Sequence, residues 1–305
     1  MKGASSPAGL FDPRWKGQPH RLEVWYATIT DGPTGSGVWL HHELVAPGGD
    51  QPFLHGWIAL FPPHGPPIEA RFGPRSYDGQ RVVEGDVLAG GGAGARWDLR
   101  WRQDAPPLYT FPRWAWEREL LPGAQIVPAP TAAFEGTVEI GRHRLDLRDA
   151  RGGLAHIYGH DNAARWGWLH ADLGHGDVLE VVAAVPARPG LSWLPPVPMV
   201  QLRTGGSDWP RDPLASAPLF RARLALPQWR VRGTVGRRRL RAEVEMPADR
   251  CLQVAYADPD GSPATCTNSE TANAEIVVER WKRRWEIEGR WSLLATAHSE
   301  IGTRP

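Results

Sequence analysis

Residues 156–173, HIYGHDNAARWGWLHADL, hold three histidines, two tryptophans, one tyrosine and two aspartates. An imidazole beside a carboxylate can move protons near neutral pH. Indole and phenol rings can shape an apolar substrate and stabilise positive charge through their π faces. Tyr158, His160 and Asp161 form the densest group of this kind and are read as candidate catalytic residues, with the tyrosine or histidine handling the proton and Asp161 tuning the histidine.

Side chains alternate between the two faces of a strand, so spacing shows which of these residues can act together. In 154–160 one face carries His156, Tyr158 and His160, and in 165–173 one face carries Trp166, Trp168, His170 and Asp172. The segment 54–61 repeats the pattern with His55 and Trp57, and 37–46 with Trp39, His41 and Glu43. A solvent face would use Lys, Glu, Thr and Ser. A plain core face would hold no row of histidines, because an unpaired buried polar ring costs about 1–3 kcal/mol. The remaining option is an aromatic-walled cavity for an apolar small molecule, lined by His41, His55, Trp57, His156, Trp166, Trp168 and His170. That these rings simply satisfy one another in a thick core stays open as the alternative.

The elements that must position these residues are strands. Strand-like segments run at 21–31, 37–46, 54–61, 95–103, 135–140, 143–150, 154–160, 165–173 and 177–185. After a break they resume at 229–235, 238–246, 251–258, 274–281 and 291–301. Turn sequences such as DGPTGSG, APGGD and DPDG separate them. One short helix is expected at 113–121. The class is all-β, built as antiparallel barrels or sandwiches, and an eight-stranded barrel can enclose one ligand. The segment 187–199, rich in proline and glycine, marks a domain boundary. The expected division is a flexible tail over 1–14, one β domain over 15–190 and a second over 191–305. A weak echo between 134–147 and 229–244 fits two domains on one plan.

With a formal charge of +1, no global field draws the chain to nucleic acid or to an anionic membrane. The cluster Arg237, Arg238, Arg239 and Arg241 reads as the solvated face of a strand. No apolar run is long enough for a secretory signal or a membrane span, and a cytoplasmic location is expected. Cys251 and Cys266 lack metal-ligand spacing and read as buried free thiols. Sixteen tryptophans call for a large core or a wide apolar cavity.

Several residues carry a family resemblance. Glu23 followed by WYATI (25–29) resembles the E-x-W-Y opening strand of the lipocalin-like (calycin) family that includes carotenoid hydratase, tocopherol cyclase and fungal Diels–Alderases. Residues 134–173 resemble that family's Gly-turn hairpin, its aromatic-Asp-His-Asn motif and its Trp-x-Trp strand. The closing ATAHSEIG (295–302) is similar to its terminal strand. The resemblance implies two consecutive lipocalin-like β domains and cofactor-independent hydration or cyclisation of an isoprenoid or polyketide, in a barrel or interdomain cavity. It adds Glu23 and Trp25 to the ligand-binding candidates and implies no metal and no organic cofactor. His160 falls at the motif histidine and Tyr158 close to its aromatic residue. Gly159 stands where the family has aspartate, and Asp161 follows the histidine instead.

Two other functions fit the same residues. One is a non-catalytic carrier of a hydrophobic ligand. The other is a metal-dependent barrel using HHE (41–43), His156 with His160, or His170 with Asp172. Against the metal, His156 and His160 stand about 13 Å apart along a strand. No carboxylate pair marks a glycosidase, and GGGAG (90–94) lacks the Lys-Ser/Thr of a phosphate loop.

Overall fold

The computed structural model describes residues 7–188, 190 and 192–305. Two large antiparallel sheets make up the fold. The first contains β1 (Arg21–Asp31), β2 (Ser36–Ala46), β3 (Phe53–Phe61), β4 (Ile68–Ser76), β5 (Val87–Gly92), β6 (Ala95–Gln103), β7 (Gly123–Ile140) and β8 (His143–Gly159). Their order is β4-β3-β2-β1-β8-β7-β6-β5. The edge strands β4 and β5 approach each other, with Phe72 of β4 packing on Trp97 of β6 at 4.9 Å between ring centroids. The sheet therefore nearly closes into a barrel. Its interior is filled by Trp25, Ile29, Leu40, Ile58, Trp97, Leu99 and Phe134, among other apolar residues.

The second sheet contains β9 (Arg165–Gly174), β10 (Asp177–Val185), β11 (Val197–Thr204), β12 (Ser207–Trp209), β13 (Phe220–Arg223), β14 (Gln228–Val235), β15 (Arg238–Glu245), β16 (Leu252–Ala257), β17 (Pro263–Trp281) and β18 (Trp285–Thr303). The order is β12-β11-β10-β9-β18-β17-β15-β14-β13, with β16 added against β17. Leu169, Val181, Leu202, Trp229, Leu240 and Ile276 form its core. Helix is confined to short pieces, chiefly α1 (Arg113–Arg118), which stops where Glu119 turns left-handed at φ 50.

The all-β class expected from the alternation is the architecture found. The sheet changes between Gly159 and Arg165, earlier than the expected boundary at 190/191, so β9 and β10 run in the second sheet. Val185 ends β10 and Val197 begins β11, two neighbouring strands of that sheet, so 187–199 does not separate two sheets. β8 is one continuous strand, where RGG (151–153) reads as a break. A Cβ at Gly152 would lie 1.9 Å from the Thr28 carbonyl oxygen, so these glycines let β1 and β8 pair closely. Residues 1–6 of the expected tail lie outside the described residues. Pro7–Leu10 form a 3-10 turn, and Phe11 is buried in the first barrel.

The two sheets pack face to face. β1 is buried on both sides. Trp25, Ala27 and Ile29 point into the barrel, while Leu22, Val24 and Tyr26 meet Trp168 and Val178 of the second sheet.

Candidate functional site

The His- and Trp-bearing faces of β2, β3 and β9 do converge, and they do so between the sheets rather than inside a barrel. From the first sheet come Trp39, His41, Trp57 and Tyr26; from the second come Trp166, Trp168, His170 and Tyr256. The rings stack on one another where the sequence led us to expect an open hollow. His41 lies on Trp57 at 4.2 Å, Trp57 on Tyr256 at 5.1 Å, and Tyr256 on Trp166 at 6.0 Å. Tyr26 meets Trp168 edge to face at 5.0 Å.

Carboxylates are set among these rings. Glu180 of β10 accepts from Trp168 Nε1 and from Gln125 Nε2 across the sheets, both at 2.6 Å, and lies 2.9 Å from His170 Nδ1. Burial pulls the His170 imidazole down, but Glu180, aided by Asp172 and Glu270, outweighs it and holds the ring above its ordinary value. Glu270 of β17 accepts from Thr28 Oγ1 of the first sheet and lies 2.7 Å from His298 Nδ1. On β2, burial alone would raise Glu43, yet His41 at 3.1 Å and His55 at 2.9 Å bring it down to about 2. Burial keeps His41 below its ordinary value and therefore neutral at pH 7.

Glu300 of β18 behaves differently. Trp166 Nε1 donates to its Oε1 at 2.8 Å and the Cys266 thiol to its Oε2 at 3.4 Å. Neither donor carries charge. Loss of hydration, reinforced by Glu270 and Glu43, pushes this carboxyl up to about 7. The group is only partly exposed. Near pH 7 about half of this carboxyl keeps its proton, which suits a general acid.

Many polar atoms of this layer have no hydrogen-bond partner among the described residues. They include Tyr26 Oη, His41 Nδ1, Trp57 Nε1, His170 Nε2, Tyr256 Oη, both polar atoms of the Asn268 amide and Glu270 Oε1. Buried polar groups are nearly always bonded, so water or another polar molecule is the natural partner for these atoms. Close approach is built in by glycine. A Cβ at Gly153 would lie 2.8 Å from His170 Cε1, and one at Gly302 would lie 1.9 Å from the Trp166 ring.

The remaining candidates lie elsewhere. Glu23, Trp25 and His156 sit at one end of the first barrel, where they clasp the N-terminal segment. Glu23 accepts from the backbone of Arg14 at 2.6 Å and Trp15 at 2.9 Å, and lies 2.7 Å from His156 Nε2. His156 Nδ1 donates to the Leu10 carbonyl at 2.7 Å, and Trp25 Nε1 to Phe11 at 2.9 Å. Tyr158 is buried nearby against Trp116, with the Arg21 guanidinium 4.6 Å above its ring. His160 and Asp161 come after β8 ends and are exposed. His160 Nδ1 bonds the His20 carbonyl, and Asp161 pairs with Arg304 at 3.2 Å. The structure therefore does not bring Tyr158, His160 and Asp161 into one site, because strand alternation stops at Gly159.

Among the described residues, no three His, Cys, Asp or Glu side chains are grouped to hold a metal ion. No helix there is long and apolar enough to cross a membrane. Cys251 and Cys266 are free thiols.

The sequence profile of the tocopherol cyclase-like family matches residues 77–303. The chain belongs to that family. It is 48% identical over 306 aligned residues to uncharacterized protein Rv0493c of Mycobacterium tuberculosis strain H37Rv, covering 96% of this chain and 89% of the relative. Uncharacterized protein MT0513 of the CDC 1551 strain matches equally. Among solved structures, CghA superposes with a TM-score of 0.64 at 14% identity, over 100% of this chain and 93% of that one. Kievitone hydratase from Nectria haematococca gives 0.57 at 9% identity, over 92% and 88%. These two likenesses establish a shared fold.

In this member of the tocopherol cyclase-like family, the residues that sequence reading passed over are Tyr26, Glu180, Tyr256, Glu270, His298 and Glu300. Glu180 carried a usable signal: its strand-mates Val178, Val182 and Ala184 are apolar, so its face could not be a solvent face.

Proposed function

We propose that the protein is a hydratase or cyclase acting on a hydrophobic, oxygen-bearing small molecule of the isoprenoid or polyketide type, in the layer between the two sheets. The observation that carries this is Glu300, a carboxyl raised to about 7 and held by an indole and a thiol among aromatic rings. The Glu300 O–H bond breaks as a C–H bond forms on an alkene carbon. The faces of Trp57, Trp166 and Tyr256 stabilise the cation that results. Water, or a hydroxyl of the substrate itself, then forms the C–O bond. Its proton passes to Glu270 Oε1, a carboxylate oxygen with no hydrogen-bond partner among the described residues. Exchange with water re-protonates Glu300, which its partial exposure permits. His41, His55, Trp57, Trp166, Trp168 and His170 form the binding wall with Tyr26 and Tyr256.

The test is incubation of the purified protein with prenylated quinols and polyenes in D2O. One deuterium at the protonated carbon is expected, and loss of product in Glu300→Gln. Product formation by Glu300→Gln at the wild-type rate would sink the assignment. Stoichiometric binding with quenched tryptophan emission and no product would identify a carrier instead.

A further inference from the structure

We propose that the turns joining β14 to β15 and β17 to β18 form a docking surface for anionic phospholipid membranes. The two turns are tied side by side: Trp281 N donates to the Arg237 carbonyl at 2.7 Å, and Arg237 Nη2 to the Lys282 carbonyl at 3.4 Å. Between them lies a shallow groove of about 360 Å³ lined by Arg237, Arg280, Trp281, Lys282 and Arg283. Four cations and one indole therefore share one end of a molecule whose formal charge is only +1. Arg280 and Lys282 are balanced by Glu288 and Glu286. Among the described residues, Arg237 and Arg283 have no carboxylate within ion-pair distance. Two large apolar side chains are exposed at the same hairpin, Trp281 at 41% and Ile287 at 59%.

Unpaired guanidinium groups around an exposed indole match the headgroup layer of a bilayer. Phosphates there meet the cations, and an amphipathic ring settles at the boundary with the acyl chains. A long polyanion such as a nucleic acid would need a basic track, and these charges are gathered at one tip. The surface is separate from the inter-sheet layer, so turnover of a detergent-dispersed substrate is independent of it.

Binding of the full chain to phosphatidylcholine vesicles, with and without phosphatidylglycerol, tests the proposal. Binding only to the anionic vesicles is expected, with a blue shift in tryptophan emission and release by salt. Joint Arg237→Glu and Arg283→Glu substitution lowers vesicle affinity by at least about tenfold, and Trp281→Ala removes most of the blue shift. Arg96→Glu with Arg142→Glu, at exposed positions on the first sheet, leaves binding unchanged, and all variants keep the wild-type melting curve. Equal binding to neutral vesicles, no binding, or an equal loss in the Arg96/Arg142 control would overturn the proposal. So would displacement from the vesicles by inorganic diphosphate at equal phosphate concentration, which points to a free phosphate ligand. Capture of a single-stranded oligonucleotide in place of vesicles would overturn it too.

Discussion

Two buried clusters of histidine, glutamate and tryptophan lie on opposite faces of β1, and they differ in what they leave unbonded. At the barrel end, both carboxylate oxygens of Glu23 and both ring nitrogens of His156 have partners within 3 Å. Between the sheets, Tyr26, Trp57, His170, Tyr256 and Glu270 each keep a polar atom with none. The first cluster is closed and holds the N-terminal segment in place. The second is the one proposed above to hold the substrate. Residue type does not separate them, but the bonding of their histidines and glutamates does: Glu23 and His156 are fully partnered, whereas His170 and Glu270 are not.

The comparison breaks most visibly at Glu23. Removing one partner of a buried pair strands the other, so Glu23→Ala is expected to cost about 3–5 kcal/mol in denaturant unfolding. A loss below about 1 kcal/mol would show that the barrel-end cluster does not hold the fold.

Glu300→Gln is expected to lower turnover by about 10²–10⁴-fold while leaving the fold intact. Stability should move the other way. The folded-state carboxyl, at about 7, lies above its ordinary value, so its favourable contribution is complete in acid and is lost as pH rises through 7. Glutamine does not ionise, and well above pH 7 the variant should be more stable than wild type by about 3 kcal/mol. Wild-type turnover should likewise fall above pH 7. A rate independent of pH from 6 to about 8.5 would remove Glu300 as the acid.

Tyr256→Phe sharpens the contrast at a smaller scale. Among the described residues its hydroxyl meets at most the Cys266 thiol, a weak partner, so thermal unfolding should shift by no more than about 1 kcal/mol. Substrate affinity should weaken. The smallest effect belongs to His160→Ala, where exposure predicts a stability change within about 0.5 kcal/mol and unchanged turnover.

Much of the fold was legible because alternation survives wherever a strand has one apolar face. β1, β2, β3, β6, β9 and β10 fall where the pattern placed them. β4 and β5 did not announce themselves, since FGPRS and LAGGG offer little apolar alternation. β11 was hidden by the prolines before it. The site was half legible. His41, Trp57, Trp166, Trp168 and His170 share faces that local spacing predicts. Glu300 meets Cys266 and Trp166 only through the pairing of β18 with β17 and β9, and no local pattern announces that meeting. His156 shows the converse: its spacing matched the other histidines, yet the face it occupies turns into the barrel.

The chain crosses from one sheet to the other once, between Gly159 and Arg165. The acids Glu180, Glu270 and Glu300 all follow that crossing, while Tyr26, His41 and Trp57 precede it. Each portion thus carries an incomplete half of the proposed site, which forms only when both have folded and met. Catalysis by separately expressed pieces should therefore emerge only on mixing, which makes the reaction itself a reporter of their assembly.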